Sequence, residues 1–231
     1  EATPNFPGQY YDLQVEAPDA RFDFGGVFLT HAHIGHYTGL MFLGHEVMGA
    51  SNVPVYAMPR MTDFLHKNGP WSQLITFKNI ALQPLQDNLA VNLGSVKVTP
   101  FLVPHRDEYS ETVGYRIAGP DKSAIFIPDI NKWQDWDTDI AELIKTVDYA
   151  LIDGAFYADG ELPGRDMSVI PHPFVSETMT LLKNASRSER NKVWFIHMNH
   201  TNPLLDASSK ESQQVRSLGY HIATEGIRLD L

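Results

Sequence analysis

Three histidines lie within six residues, directly after a short apolar run, and this cluster constrains the chain more than any other feature. The run Gly25–Thr30 has the composition of a buried strand, and His31, His33 and His36 follow it. Side chains two residues apart in an extended chain point the same way, so His31 and His33 can reach one point. Imidazole suits divalent metals such as zinc. The cluster therefore predicts part of a metal site, with surface or capping histidines as the alternative interpretation.

Composition narrows the chemistry and the partners. The 231 residues include no Cys, which excludes a disulfide scaffold, an iron–sulfur cluster and a cysteine nucleophile. The net charge is −10, from 18 Lys and Arg against 28 Asp and Glu, and no basic run indicates a nucleic-acid partner. No apolar run approaches the roughly 20 residues that cross a bilayer, so we expect no membrane partner. The compartment stays open, because a chain without thiols suits either side of a membrane.

Alternating apolar patterns predict one α/β domain over residues 1–231, in which helices cover the sheets. The predicted strands are 25–30, 53–57, 89–93, 95–103, 112–117, 123–127, 149–152 and 192–196. The predicted helices are 36–48, 59–65, 136–147, 173–182 and 205–218.

Polar residues follow several of the predicted strands. His105, Asp129 and His197 each come directly after an apolar run. If these strands lie side by side, their ends bring the three residues and the histidine cluster to one sheet edge, where the Asp129 carboxylate could bridge two ions. A single strand-end residue is usually an ordinary loop residue, but the agreement among several positions favours a metal site.

The motifs resemble those of the metallo-β-lactamase superfamily, whose fold is an αββα four-layer sandwich. The segment THAHIGHYTGL at 30–40 is similar to its HxHxDH signature, and PHRDEYSETVGYRI at 104–117 to its third metal motif. IPDINKW at 127–133 and FIHMNHTNPLL at 195–205 take the places of the bridging-aspartate and last histidine motifs. Within the superfamily the chain most resembles the branch that contains pyrroloquinoline quinone synthesis protein B.

The resemblance implies a site for one or two Zn²⁺ ions, with Fe or Mn as alternatives. The implied ligands are His31, His33 and His105 for the first ion, His36 and His197 for the second, and Asp129 between them. Gly35 replaces a family aspartate that ligates the second ion, so partial or single occupancy is an open alternative. His200 either compensates for that loss or belongs to the surroundings of the site.

The resemblance also implies roles for Asp153 and His172, because related hydrolases carry an acidic residue and a histidine near the leaving group. Such a pair can protonate a departing oxygen; hydrogen bonding in a turn and helix capping are the alternative roles. The expected activity is metal-dependent hydrolysis of a small ester, lactone or phosphodiester, with Asp129 orienting the nucleophile. The alternatives are an iron-dependent oxidation of the cofactor-biosynthesis type and a metal-binding protein with reduced catalysis.

The first residues raise a separate expectation. Glu1–Phe6 resembles the end of the strand that precedes the metal-binding half in this family, where several further strands come earlier. We therefore expect an N-terminally incomplete domain with an open sheet edge. An N-terminal fragment or a second copy of the chain in a homo-oligomer would cover that edge.

Overall fold

The computed structural model describes residues 1–16 and 24–231, which form two compact units. The first unit contains residues 1–89 and 107–113, and the second contains residues 90–106 and 114–231. The single domain expected over residues 1–231 stays a prediction. Within the described ranges, no helix is both long enough and apolar enough to cross a membrane.

The first unit has a parallel three-stranded sheet over the described residues, with strand order β1-β2-β3. Its strands are β1 (Val27–Phe28), β2 (Val53–Ala57) and β3 (Ile80–Pro84). Its helices are α1 (Phe6–Glu16), α2 (Ile34–Tyr37), α3 (Pro59–Lys67) and α4 (Trp71–Thr76). Leu29, Leu40, Val55, Met61 and Leu65 are buried in its apolar core. Burial of the strand on this core leaves the histidine cluster directly beyond it.

The predicted helix 36–48 is wrong in length. Helix α2 gives way to a 3₁₀ helix at Thr38–Leu43, and turns follow to residue 48. The backbone of Gly39 explains the change, because its N–H donates to the Ala2 carbonyl at 2.9 Å. A Cβ on Gly39 would lie 2.2 Å from the Thr3 carbonyl oxygen, so only glycine permits this approach. Residues 1–5 accordingly form no strand, contrary to the resemblance, and α1 begins at Phe6.

The second unit contains a mixed sheet of seven strands among the described residues, in the order β10-β9-β8-β7-β6-β5-β4. Its strands are β4 (Val91–Leu93), β5 (Val96–Leu102), β6 (Val113–Ala118), β7 (Ser123–Ile127), β8 (Tyr149–Asp153), β9 (Val193–Ile196) and β10 (His221–Ile222). Strands β7 to β10 are parallel, whereas β6 runs antiparallel to β7. The predicted hairpin around Gly94 is confirmed, with β4 and β5 antiparallel and Gly94 at φ +60°.

The helices of the second unit are α5 (Ile140–Lys145), α6 (Val175–Leu181), α7 (Arg187–Arg190) and α8 (Lys210–Ser217). Three of them begin later than predicted, and the fourth, α7, has no predicted counterpart. The Asp139 side chain accepts the N–H of Ala141 at 2.8 Å and so caps α5. The Ser209 hydroxyl accepts the N–H of Ser212 at 3.0 Å and caps α8, while Pro203–Leu205 forms a 3₁₀ helix. The capping residues Asp139 and Ser209 therefore determine where α5 and α8 begin. A search for apolar periodicity does not detect such residues.

The core of the second unit explains why its central strands are predictable. Ile125, Ile127, Ile152, Val193 and Phe195 are all fully buried. Parallel strands that are covered on both faces read as continuous apolar runs. The α/β class is thus confirmed, and the carboxyl ends of β7, β8 and β9 lie at one edge of the sheet.

Candidate metal centre

In the first unit, two histidine rings direct nitrogens toward one another. His31 Nε2 and His33 Nδ1 lie 2.9 Å apart. Two imidazole nitrogens that share a tetrahedral zinc are separated by roughly 3.3 Å, given Zn–N bonds of about 2.05 Å. The far nitrogens have other partners, since His31 Nδ1 is 3.0 Å from the Thr30 hydroxyl and His33 Nε2 is 3.1 Å from Glu108 Oε2. This pattern is typical of metal-ligating histidines, because the ring nitrogen that does not bind the metal usually donates a hydrogen bond to a polar group.

His36 has the same arrangement. It is 4% exposed, and its Nδ1 lies 2.5 Å from Glu1 Oε1, so Nε2 is on the opposite side of the ring. Glu1 also accepts the Thr30 hydroxyl at 2.7 Å. Burial favours the neutral Glu1 carboxyl, but the hydrogen bond and charge of His36, the charge of the amino group of residue 1 and a hydrogen bond from Thr30 together lower the pKa of Glu1 to about 2. An ionised carboxylate therefore orients the His36 ring.

The second unit contains a compact cluster of two aspartates and a histidine. His172 Nδ1 lies 2.8 Å from Asp153 Oδ2 and 3.2 Å from Asp129 Oδ1. Asp153 is the last residue of β8 and is fully buried. It also accepts the N–H groups of Ile130 at 3.2 Å and Ala155 at 2.8 Å. These backbone donors fix the carboxylate, and the carboxylate in turn fixes the His172 ring.

The electrostatics of the cluster favour a protonated His172. Burial of the ring opposes its charged form, but the charge and hydrogen bond of Asp153, together with the charge of Asp129, raise the pKa of His172. The Arg106 guanidinium has a smaller, opposite effect. With 12% of its side chain exposed, the His172 ring also remains accessible to solvent.

His105 and His197 lie near the same cluster. His105 Nε2 is 3.3 Å from Asp129 Oδ2, and both side chains are almost completely buried. The His172 ring centroid is 5.6 Å from that of His105 and 6.2 Å from that of His197. His197 follows β9 with φ +62°, a left-handed conformation that few residues other than glycine adopt. Such backbone conformations occur often at functional sites.

The structure thus brings the predicted residues together within each unit. The first unit positions His31, His33 and His36. The second positions the remaining candidates His105, Asp129, Asp153, His172 and His197. His200 is exposed in a turn after β9, and its ligation stays a prediction. At Gly35 an added Cβ would meet no atom within 4 Å, so the position of the family's aspartate is open.

Sequence reasoning missed the groups behind the rings. Glu108 lies 75 residues from His33, and Glu1 lies 35 residues from His36. No spacing rule connects residues this far apart. The only available indication was that Glu108 follows His105 within the third motif.

The donor set fits a divalent metal ion. In the second unit, Asp129 offers a carboxylate oxygen within 4.8 Å of a ring nitrogen of His105 and within 4.8 Å of a ring nitrogen of His197. Imidazole nitrogen and carboxylate oxygen are both common zinc ligands. The predicted character of a His/Asp metal-binding cluster is therefore confirmed.

Comparison with known proteins identifies the superfamily to which the chain belongs. The sequence profile of the β-lactamase superfamily domain matches residues 2–198. Coenzyme PQQ synthesis protein B of Xanthomonas campestris pv. campestris is 24% identical over 224 residues, with 89% of this chain and 72% of that protein covered.

Solved structures show the same fold. Zn²⁺-bound PqqB from Methylobacterium extorquens has a TM-score of 0.75 at 22% identity, covering 100% of this chain and 82% of that one. A diphosphatase of the PhnP family has a TM-score of 0.62 at 18% identity, covering 99% and 77%. The predicted fold is confirmed: the chain is similar to PqqB proteins in sequence and structure, has the metallo-β-lactamase fold, and belongs to the β-lactamase superfamily.

Proposed function

We propose that the chain is a metal-dependent hydrolase that uses metal-activated water on a small ester, lactone or phosphodiester. The observation that carries the proposal is the orientation of the histidines. His31 Nε2 and His33 Nδ1 converge to 2.9 Å, while their other nitrogens contact Thr30 and Glu108. Family membership and a donor set without thiolate support the same conclusion.

The proposed ligands follow the family pattern. They are His31, His33 and His105 for one ion, His36 and His197 for a second, and Asp129 for both. We expect Zn²⁺, because imidazole and carboxylate suit it and the similar PqqB structure is Zn²⁺-bound. When bound, such an ion lowers the pKa of its water to near neutrality and polarises the substrate oxygen.

The chain's own residues supply the proton chemistry. Asp153, held by two backbone N–H groups, keeps His172 oriented through Nδ1. The Asp153 and Asp129 carboxylates raise the pKa of His172 and so favour its protonated form, from which Nε2–H can donate to the departing oxygen. The ring becomes neutral in that step. Asp129 would hold the metal and orient the attacking water.

The test combines metal content with a substrate panel. Protein purified without added metal is analysed for Zn, Fe and Mn, and is assayed against an ester, a lactone, a β-lactam and a phosphodiester. We expect bound zinc and turnover of at least one substrate, and His33→Ala should lose both. His66→Ala serves as the control, because His66 is exposed on α3 and outside the proposed site. Turnover retained by His33→Ala would overturn the proposal. No turnover at full zinc occupancy would instead favour a metal-binding protein with reduced catalysis.

A second candidate is an iron-dependent oxidation. Its support is the similarity to proteins named coenzyme PQQ synthesis protein B. Iron in the purified protein, together with oxygen uptake, would favour this reaction. Zinc without oxygen uptake would favour hydrolysis.

A further inference from the structure

We propose that Glu108 is a positioning residue that holds His33 in its metal-binding orientation. Glu108 Oε2 lies 3.1 Å from His33 Nε2, and His33 Nδ1 faces His31 Nε2 at 2.9 Å. A carboxylate accepts at this distance, so His33 Nε2 carries a proton, and in the neutral ring Nδ1 then presents its lone pair. This inference rests on the metal-binding part of the proposed function.

Glu108 lies on a segment that is anchored on both sides of it. Asp107 receives two hydrogen bonds from the Arg60 guanidinium, at 3.0 Å to Oδ2 and 2.6 Å to the carbonyl oxygen. Ser110 accepts the N–H of Ala32, the residue between His31 and His33, at 2.8 Å. The backbone on each side of Glu108 is therefore attached to the first unit.

A third attachment completes this strap, which we define as residues 107–111. The Glu111 carboxylate accepts the N–H of Arg60 at 3.0 and 3.1 Å, at the start of α3. The Ser110 hydroxyl donates to the Glu111 carbonyl at 2.8 Å. Although Glu108 is half exposed, with 52% of its side chain accessible, the strap limits the positions from which its carboxylate reaches the ring.

The chemical effect follows from the charge of Glu108. An anionic acceptor at Nε2–H fixes the tautomer and makes the opposite nitrogen a better ligand. Loss of such a partner typically weakens metal binding by about 10- to 100-fold. A glutamine keeps an acceptor but lacks the charge, so we expect its effect to lie between those of glutamate and alanine.

The first experiment measures Zn²⁺ affinity by chelator competition in four variants of the full chain. Glu108→Ala should bind Zn²⁺ about 10- to 100-fold more weakly than the wild type, and Glu108→Gln should fall between them. Glu46→Gln removes the same charge from an exposed glutamate of the first unit and should bind like the wild type. His33→Ala tests the ligand itself. If both Glu108 variants bind Zn²⁺ as Glu46→Gln does while His33→Ala binds weakly, only the present inference fails. If His33→Ala binds normally, the proposed function fails as well.

The second measurement separates positioning from a structural role. Long-range ¹H–¹⁵N spectra of the metal-free protein report the tautomer of each histidine. We expect His33 to be an Nε2–H tautomer in the wild type and a mixture of tautomers in Glu108→Ala, with the other histidine signals unchanged. A His33 tautomer that is the same in both proteins would overturn the inference.

Discussion

Polar partners behind the imidazole rings determine the chemistry of the candidate site at the scale of single residues. Thr30, Glu108 and Glu1 serve this purpose in the first unit, and Asp153 does so in the second. Each contact selects one ring nitrogen and leaves the other on the opposite side. The direction of a ligand or a proton donor is thus built into the protein before any substrate arrives.

The role of His172 predicts a dependence on the leaving group. His172→Gln should lower kcat by about 10²- to 10⁴-fold for substrates with alkoxide leaving groups, which require protonation. The loss should be small for p-nitrophenyl substrates, whose leaving group departs without a proton. Steady-state kinetics on the two substrate types, with zinc content measured in parallel, tests this prediction. Equal losses on both types would contradict a proton-donor role.

The open position at Gly35 predicts a gain of metal affinity. Gly35→Asp supplies the carboxylate that the family pattern has there, and nothing within 4 Å of the new Cβ obstructs it. We expect Gly35→Asp to bind a second Zn²⁺ equivalent more tightly than the wild type, as measured by calorimetric titration. Gly35→Ala adds the Cβ without the carboxylate and should bind as the wild type does. Identical titrations of the two variants would show that the lost aspartate does not limit the second site.

At the scale of elements, parallel strands carry the site in the second unit. Strands β7, β8 and β9 run in the same direction, so the residues that end or follow them meet at one edge. Asp153 ends β8, and Asp129 and His197 follow β7 and β9. Open α/β sheets commonly place ligands at the carboxyl ends of their strands.

The left-handed backbone at His197 predicts an order of stability. Glycine adopts φ +62° without a steric cost, whereas alanine does not. In the metal-free protein, His197→Gly should therefore be more stable than His197→Ala by about 1 kcal/mol. Urea unfolding of both variants measures the difference in free energy of unfolding. An alanine variant as stable as the glycine variant would contradict the backbone conformation described here.

At the scale of the whole molecule, the composition of the chain allows the effect of a metal on stability to be measured separately from thiol chemistry. The chain has no cysteine, so neither a disulfide nor a reactive thiol complicates the removal of zinc. All the proposed ligands lie on this one chain, so we expect a metal to bind the folded state in preference to the unfolded one.

Zinc should therefore stabilise the fold by mass action. At a free concentration 100-fold above the Kd, a ligand that binds only the folded chain contributes about 2.7 kcal/mol. We expect EDTA to lower the Tm of the wild type and added Zn²⁺ to restore it, as measured by calorimetry. His33→Ala should respond far less to either treatment. An EDTA-insensitive Tm in a zinc-loaded wild type would argue against a folded-state metal site.

Much of the fold was predictable from local patterns. The strands 53–57, 123–127 and 149–152 are confirmed, because each is a short apolar run that includes at least two buried residues. The long helix from residue 36 is wrong, since its end depends on the contact of Gly39 with Ala2 and Thr3. Helix starts at Ile140 and Lys210 depend on the caps Asp139 and Ser209, which periodicity alone does not reveal.

The sequence by itself determined which groups can bind a metal and where they stand along the chain. His31 and His33 follow a strand at a spacing that makes them converge, which is a local property of extended backbone. Only the tertiary structure decided which nitrogen of each ring faces inward, because Glu108 and Glu1 reach His33 and His36 across 75 and 35 residues. Asp153 acquires its role in the same way, through His172, 19 residues further along the chain. Ring orientation depends on hydrogen bonds between distant segments, and those bonds exist only once the chain has folded.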